Sequence, residues 1–429
     1  MNASDPPSSS TEGAVCTLPD ITRECWSRVL ALLTTRLRNL QLAEDMLQNA
    51  VLTALETWPK RGVPDNPQSW LYRVAMNRAI DQLRRVQKHP TQPFDVTSEN
   101  LVPTFSDNLT EYESGIPDER LRMIFTCCHP AIAPEAQMGL TLRTICGLST
   151  GDIARAFLVT ESTMAQRLVR VKRKIIHAGI PYEVPDADHL PERLEAVLAV
   201  IYLIFNEGYA SSSGDRTIRT DLCEEALYLV GELAACLPDE PEVLGLQALM
   251  LLHDSRREAR VAEDGRPIML FDQDRSLWNT AKIQQGMHCL HLASQFQVSG
   301  VYQLQAAISA VHARAPEASR THWPAIVALY AELYRLTPNA VVGLNYAQAM
   351  SYTRGPAEAL RFIRSLPDFD ALQNYQPYYA ALADLYERLE SLDEAISACT
   401  RAIELSKNSQ EKHYLSDKLA VLTSKVAKH

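Results

Sequence analysis

Apolar positions recur at helical spacing along almost the whole chain, and no run alternates as a half-buried strand would, which predicts an all-α protein. The periodicity begins near Ile21 and stops near Lys88. A Pro-rich, polar and acidic stretch from His89 to Pro117 reads as a linker. A second helical block runs from about Asp118 to Ala178, GIPYEVPDADHLP marks another break, and from Pro191 nearly everything reads as helix. The expected division is therefore a disordered Ser/Pro/Thr-rich tail (1–20), a helical domain (21–88), the linker (89–117), a second helical domain (118–178), a helical extension (179–322) and a repeat region (323–429). The repeat region rests on self-similarity. Tyr346-Ala347…Pro356-Ala357-Glu358-Ala359-Leu360 returns 36 residues later as Leu382-Ala383…Leu392-Asp393-Glu394-Ala395-Ile396, close to the period of tetratricopeptide helix pairs.

Two helices of the first domain carry candidate chemistry. In the helix expected over 42–58, Leu47, Val51, Ala54 and Trp58 form one inward stripe. Asp45, Gln48, Asn49 and Leu52 lie on the opposite arc, where an outward leucine among polar groups suits protein docking; the alternative is a plain solvated face. In the helix expected over 70–86, Trp70, Arg73, Asn77 and Arg84 fall within about 60° of one another. Leu71, Val74 and Ala75 cover the other side. Arginine grips phosphate, asparagine reads base edges and tryptophan stacks on an unpaired base. The loop before this helix, Lys60 to Ser69, holds two prolines and suits a rigid pocket for an extruded base. The alternative is that Trp70 is core and the arginines are solubilising.

Residues 149–175 read as a helix-turn-helix. Ser149-Thr150-Gly151-Asp152 resembles a capping box, Ile153, Ala154 and Phe157 face inward, and Thr160 is an N-cap for the following helix. In that helix Met164, Leu168, Val171 and Ile175 share a narrow stripe. Thr163, Gln166, Arg167, Arg170 and Lys174 take the other arc, with Ser162 at the tip. A helix entering a major groove needs such a split. Ser162, Thr163, Gln166 and Arg167 are expected near base edges, and Arg170, Lys172, Arg173 and Lys174 on phosphates.

Charge sharpens this picture. The net charge is −10, yet residues 60–88 carry +5 and residues 161–174 carry +4, leaving −19 on the remainder. Two compact basic segments in an acidic chain point to localised nucleic-acid contact. Nine cysteines without a CxxC pair and an N-terminus without a basic start or apolar core lead to the expectation of reduced thiols in a cytoplasmic protein without a secretion signal. The longest apolar run, Val197 to Phe205, is too short to span a bilayer and suits a buried helix, with Asn206-Glu207-Gly208-Tyr209 as its Gly-marked end. Adjacent Cys127 and Cys128 diverge on a helix, so packing is expected there and no metal site. For Asp272, Asp274 and Arg275 the expectation is a loop closed by internal Asp–Arg pairs.

LAEDMLQNAVLTALETWP followed by NPQSWLYRVAMNRAIDQLRR resembles region 2 of extracytoplasmic-function sigma factors, and GLSTGDIARAFLVTESTMAQRLVRVKRKI is similar to their region 4. The long tail, with LIFNEGYASSSG and LFDQDRSLWN, resembles the subgroup carrying a C-terminal helical-repeat extension. The resemblance implies a non-enzymatic transcription initiation factor without a cofactor. Asp45 and Gln48, with Asn49 and Leu52 beside them, would dock on the coiled coil of the RNA polymerase β′ subunit, while region 4 would meet the β flap. Arg61, Asn66, Trp70, Arg73, Asn77, Arg84 and Arg85 would bind the −10 promoter element as single strand. Ser162, Thr163, Gln166, Arg167 and Arg170 would read the −35 element as duplex, with Lys172, Arg173 and Lys174 on its backbone. Ala165-Gln166 stands where many relatives outside the subgroup carry a Lys-Ser pair, so no −35 sequence is carried over. The extension would be a regulatory domain responding to a partner or ligand. The alternative is a helix-turn-helix regulator with a repeat-based peptide sensor that is not a sigma factor.

Overall fold

The computed structural model describes residues 18–88, 116–157, 159–180, 182–186, 188–209, 220–262, 266–367, 372–406 and 409–426. Residues 1–17 of the expected tail and 89–115 of the expected linker lie outside them; Leu18, Pro19 and Asp20 open the first helix instead of ending a disordered tail, and Ile116 and Pro117 open the fourth helix instead of ending the linker. Two compact units divide the chain, one within residues 1–154 and 160–186, the other within 155–159 and 187–429. Among the described residues the regular structure is helical, as the periodicity predicts, with one isolated antiparallel bridge between Val261 and Pro267. No described helix is long and apolar enough to cross a membrane.

The first unit opens with α1 (Leu18–Leu37), α2 (Leu40–Arg61) and α3 (Pro67–Lys88), which pack on one another. Their shared core is Val29, Leu30 and Leu33 from α1, Leu47, Ala50 and Ala54 from α2, and Leu71, Ala75 and Ala79 from α3. Helix starts follow local chemistry. The Asn39 side chain accepts from the Leu42 amide at 3.0 Å, and Asn66 accepts from the Ser69 amide at 2.9 Å ahead of Pro67. Each fills one of the donors a helix leaves open at its first turn. Next come α4 (Ile116–Cys127), α5 (Pro134–Thr144), α6 (Thr150–Ala156) and α7 (Glu161–His177), with α4 against α1 and α5 against both α4 and α7. The capping box is formed as read: the Asp152 amide donates to Ser149 Oγ at 3.1 Å, and the Ser149 amide donates back to the Asp152 carboxylate at 3.3 Å. Cys127 and Cys128 are buried and diverge, Cys127 Sγ meeting Thr144 Oγ1 at 3.1 Å and Cys128 Sγ meeting Thr141 Oγ1 at 3.6 Å. Burial pushes the Cys127 thiol far up, so it stays protonated. Among the described residues no three His, Cys, Asp or Glu side chains gather as a metal site.

The second unit is a run of helices: α8 (Leu190–Tyr209), α9 (Thr220–Cys236), α10 (Pro241–Asp254), α11 (Thr280–Ser294), α12 (Val301–Arg314), α13 (Trp323–Leu336), α14 (Ala340–Arg354), α15 (Pro356–Arg364), α16 (Gln376–Arg388), α17 (Leu392–Leu405) and α18 (Ser409–Val426). Helix α8 buries Leu194, Val197, Leu198, Val200, Ile201, Ile204 and Phe205. Gly208 is buried in the last described turn of α8, one residue before Tyr209. Helices α10 and α12 cross so closely that a Cβ on Gly245 would come within 2.8 Å of the Gln303 backbone nitrogen. The Glu242 carboxylate reaches across the same crossing and accepts from the amides of Tyr302 (2.8 Å) and Gln303 (3.0 Å), capping α12 from another helix.

Between α10 and α11 the chain leaves α-helix for two short 3-10 turns, Arg257–Ala259 and Arg275–Leu277. The expected Asp–Arg pair is not made here. Asp274 spends its carboxylate on the Ser276 amide and hydroxyl, while Arg275 donates to the carbonyls of His312 and Ala315. A residue one position after an N-cap points along the new turn, away from the capping group, so adjacent Asp and Arg serve different neighbours.

The helix pairs α14/α15 and α16/α17 repeat at the spacing read from the sequence: Ala340 to Gln376 and Pro356 to Leu392 are both steps of 36 residues. Ala347, Ala383, Ala359 and Ala395 are fully buried, as small residues at the contact of paired helices should be. A polar clasp joins the pairs: Gln348 Nε2 donates to Asp384 at 3.1 Å and Arg388 to Ser351 Oγ at 2.7 Å.

Candidate nucleic-acid and polymerase interface

On α7 the packing stripe is the one expected, with Met164, Leu168, Val171 and Ile175 all buried. Thr160 caps the helix by accepting from the Thr163 amide at 3.2 Å. Ser162, Gln166, Arg170, Arg173 and Lys174 are exposed. At 100° per residue these five occupy one arc of about 120°, which is the size of face a groove-entering helix presents. Two residues of the expected set sit at its margin. Thr163 is half-buried with its hydroxyl 2.8 Å from that of Thr160, and Arg167 is half-buried with a 3.5 Å contact to Glu135.

Lys172 is a correction. It is 8% exposed, and its ammonium is committed to the Glu44 carboxylate rather than standing with the open cations. Its place on the wheel, about 40° from Leu168, puts it at the rim of the packing stripe. Glu44 is 2% exposed on α2 and also accepts from Arg143 Nε at 2.6 Å. Arg143 in turn donates to the Leu148 carbonyl at 2.8 Å and lies 5.2 Å from the Trp26 ring centroid. One carboxylate thus joins α2, α5 and α7. Burial pushes its pKa up, but the charges and hydrogen bonds of Lys172 and Arg143 outweigh burial and hold it below the ordinary 4.5. Sequence reasoning passed over this group. The available signal was that Glu44 continues the inward stripe of Leu47, Val51, Ala54 and Trp58, where a lone carboxylate demands partners.

On α3, Arg73, Asn77 and Arg84 are exposed on one side, as expected, and Arg61 is exposed at the end of α2. The Arg85 side chain lies outside the described residues. Trp70 is half-buried, its ring 5.2 Å from that of Trp58 in an edge-on contact, so it is part platform and part core. Asn66 is exposed but its carbonyl oxygen is occupied in capping α3, which leaves only its amide nitrogen for another partner. On the outer arc of α2, Asp45 and Gln48 are exposed and Leu52 is 58% exposed, with Leu55 exposed one turn on. Asp45 accepts from Gln41 at 2.8 Å; Asn49 turns its amide onto the Asp45 carbonyl at 2.9 Å, and Gln48 donates to Glu44 at 3.2 Å. The result is an exposed apolar knob beside a carboxylate.

Residues 23–89 match the model of sigma-70 region 2, and residues 193–294 match a family of unknown function, DUF6596. The chain is 40% identical over 395 residues to an uncharacterized protein of Rhizobium meliloti (strain 1021), covering 91% of this chain and 92% of that one. It is 30% identical over 146 residues to the ECF RNA polymerase sigma factor SigM of Mycobacterium tuberculosis, covering 34% of this chain and 67% of that one. No solved structure matches. The chain belongs to the extracytoplasmic-function sigma factors of the sigma-70 family, in the form that carries a C-terminal helical extension. It is accordingly a transcription initiation factor that works with RNA polymerase.

Proposed function

We propose that the chain directs core RNA polymerase to promoters by holding two DNA elements at once. The open arc of α7 reads a −35 element as duplex, with Ser162, Gln166 and the margin residues Thr163 and Arg167 toward base edges and Arg170, Arg173 and Lys174 on phosphates. Arg73, Asn77 and Arg84, with Arg61, Asn66, Arg85 and the free part of Trp70, hold the −10 strand once it is melted. Asp45, Gln48, Asn49 and Leu52 dock on the β′ coiled coil, region 4 contacts the β flap, and the extension regulates the whole. The observation that carries this reading is the basic arc of α7 opposite a fully buried apolar stripe. Runoff transcription with purified core enzyme tests it. Arg170→Glu should abolish promoter-specific transcripts while core polymerase still co-purifies; unchanged transcripts would overturn the placement of the reading face. The regulatory role has its own test, transcription by residues 1–186 alone, whose promoter output should differ from that of the full chain.

A further inference from the structure

The extension gathers three cations, Arg256, Arg260 and Arg275, against the rings of Tyr209 and Trp278. Arg256 and Arg260 follow α10, and Arg275 opens the second 3-10 turn. The guanidinium carbons of Arg256 and Arg275 lie 5.7 Å and 4.8 Å from the Trp278 ring centroid, and that of Arg260 lies 3.5 Å from the Tyr209 ring. Their hydrogen bonds go to neutral oxygens: Arg256 to the Tyr209 hydroxyl at 2.7 Å, Arg260 to the Tyr209 carbonyl, and Arg275 to the carbonyls of His312 and Ala315. Among the described residues none of the three arginines forms an ion pair. Asp254, a nearby carboxylate whose charge also reaches Arg260, is committed to Arg257 at 2.8 Å and to Lys282.

Around these cations stand buried nitrogens that meet no partner among the described residues: Arg275 Nε, Trp278 Nε1, His253 Nδ1 and His312 Nδ1. The first two are obligate donors. His253 stacks on Tyr209 at 5.2 Å and is tied through its other nitrogen to Ser309 at 3.1 Å; His312 stands edge-on to Trp323 at 5.5 Å. Burial and the neighbouring arginines hold both imidazoles neutral, His312 down to about 4. Three guanidinium groups that form no ion pair among the described residues, with unspent N–H donors on an aromatic floor, call for a partner that accepts and is negative.

We propose that Arg256, Arg260, Arg275 and Trp278 form a binding site in the extension for a small oxyanion-bearing ligand, a carboxylate or a phosphate. The inference rests on these residues alone and is tested by binding, whether or not the extension governs transcription.

The experiment uses the full-length chain with inorganic phosphate in one arm and citrate in the other, each against sodium chloride at equal ionic strength, read by thermal midpoint and by titration calorimetry. At least one anion should raise the midpoint saturably. Arg256→Gln should weaken that binding by about tenfold or more, the loss of a charged hydrogen-bond donor. Without anion the same variant should melt higher than the parent, because a like charge has been removed. Arg266→Gln, at an exposed arginine paired with Asp417, should leave anion binding unchanged. Trp278→Phe keeps an aromatic face and deletes one unpaired donor, giving a second variant that should bind more weakly. A response to phosphate alone or to citrate alone identifies the oxyanion. No saturable response in either arm, or one that Arg256→Gln and Trp278→Phe both retain, overturns the proposal.

Discussion

Glu44 shows how much one side chain decides. Replacing it with Gln leaves Lys172 and Arg143 buried without their anion, and breaking a buried pair in this way costs about 3 kcal/mol or more. Urea unfolding of Glu44→Gln against the parent measures it. Because the folded carboxyl titrates below its ordinary 4.5, its contribution is complete above that value and is lost as pH falls through the folded one. The extension should weaken earlier on acidification. His253 and His312 are neutral when folded but take up protons near 6.5 when unfolded, so their contribution is present above about pH 6.5 and drains as pH falls below it, for His312 toward about 4. A thermal midpoint measured against pH checks the order, and His312→Gln should flatten the upper limb. At this scale the sequence was legible where a residue's role is local. Thr160, Ser149 and Asp152 cap helices within three residues of themselves, and short-range spacing reveals that. Lys172 was not legible, because its partner lies 128 residues away and angular position alone does not say what stands opposite the rim of a stripe.

Among elements, close crossings and borrowed caps set stability. Helix α12 takes its cap from Glu242, so Glu242→Ala should cost about 1–2 kcal/mol and be seen as a lower midpoint of the second unit. Gly245→Ala should do at least as much harm, since the new methyl meets backbone rather than a pliant side-chain end. The periodicity predicted helices well because each buries one face, and the 36-residue step predicted the pairs because buried alanines must recur where helices touch. What it missed was the irregular segment between α10 and α11. Backbone carbonyls of His312 and Ala315, which have no sequence signature, accept from one guanidinium nitrogen of Arg275 there.

For the molecule as a whole, charge is segregated. The acidic total hides open cations on α3 and α7, so promoter affinity should fall linearly on a log–log plot against salt, with a slope reporting the phosphates engaged. Removing one phosphate contact reduces that slope by about one. Lys174→Gln should therefore flatten it, whereas Lys172→Gln should mainly lower stability. Fluorescence anisotropy on a promoter duplex over a salt series separates the two. The three-way contact at Glu44 carries a last consequence. Were α2 and α7 to part when two DNA elements are gripped, Lys172 and Arg143 would both lose their counter-ion, and that step would carry the cost of opening a buried ion pair. The latch would thereby set a threshold that promoter contacts have to exceed.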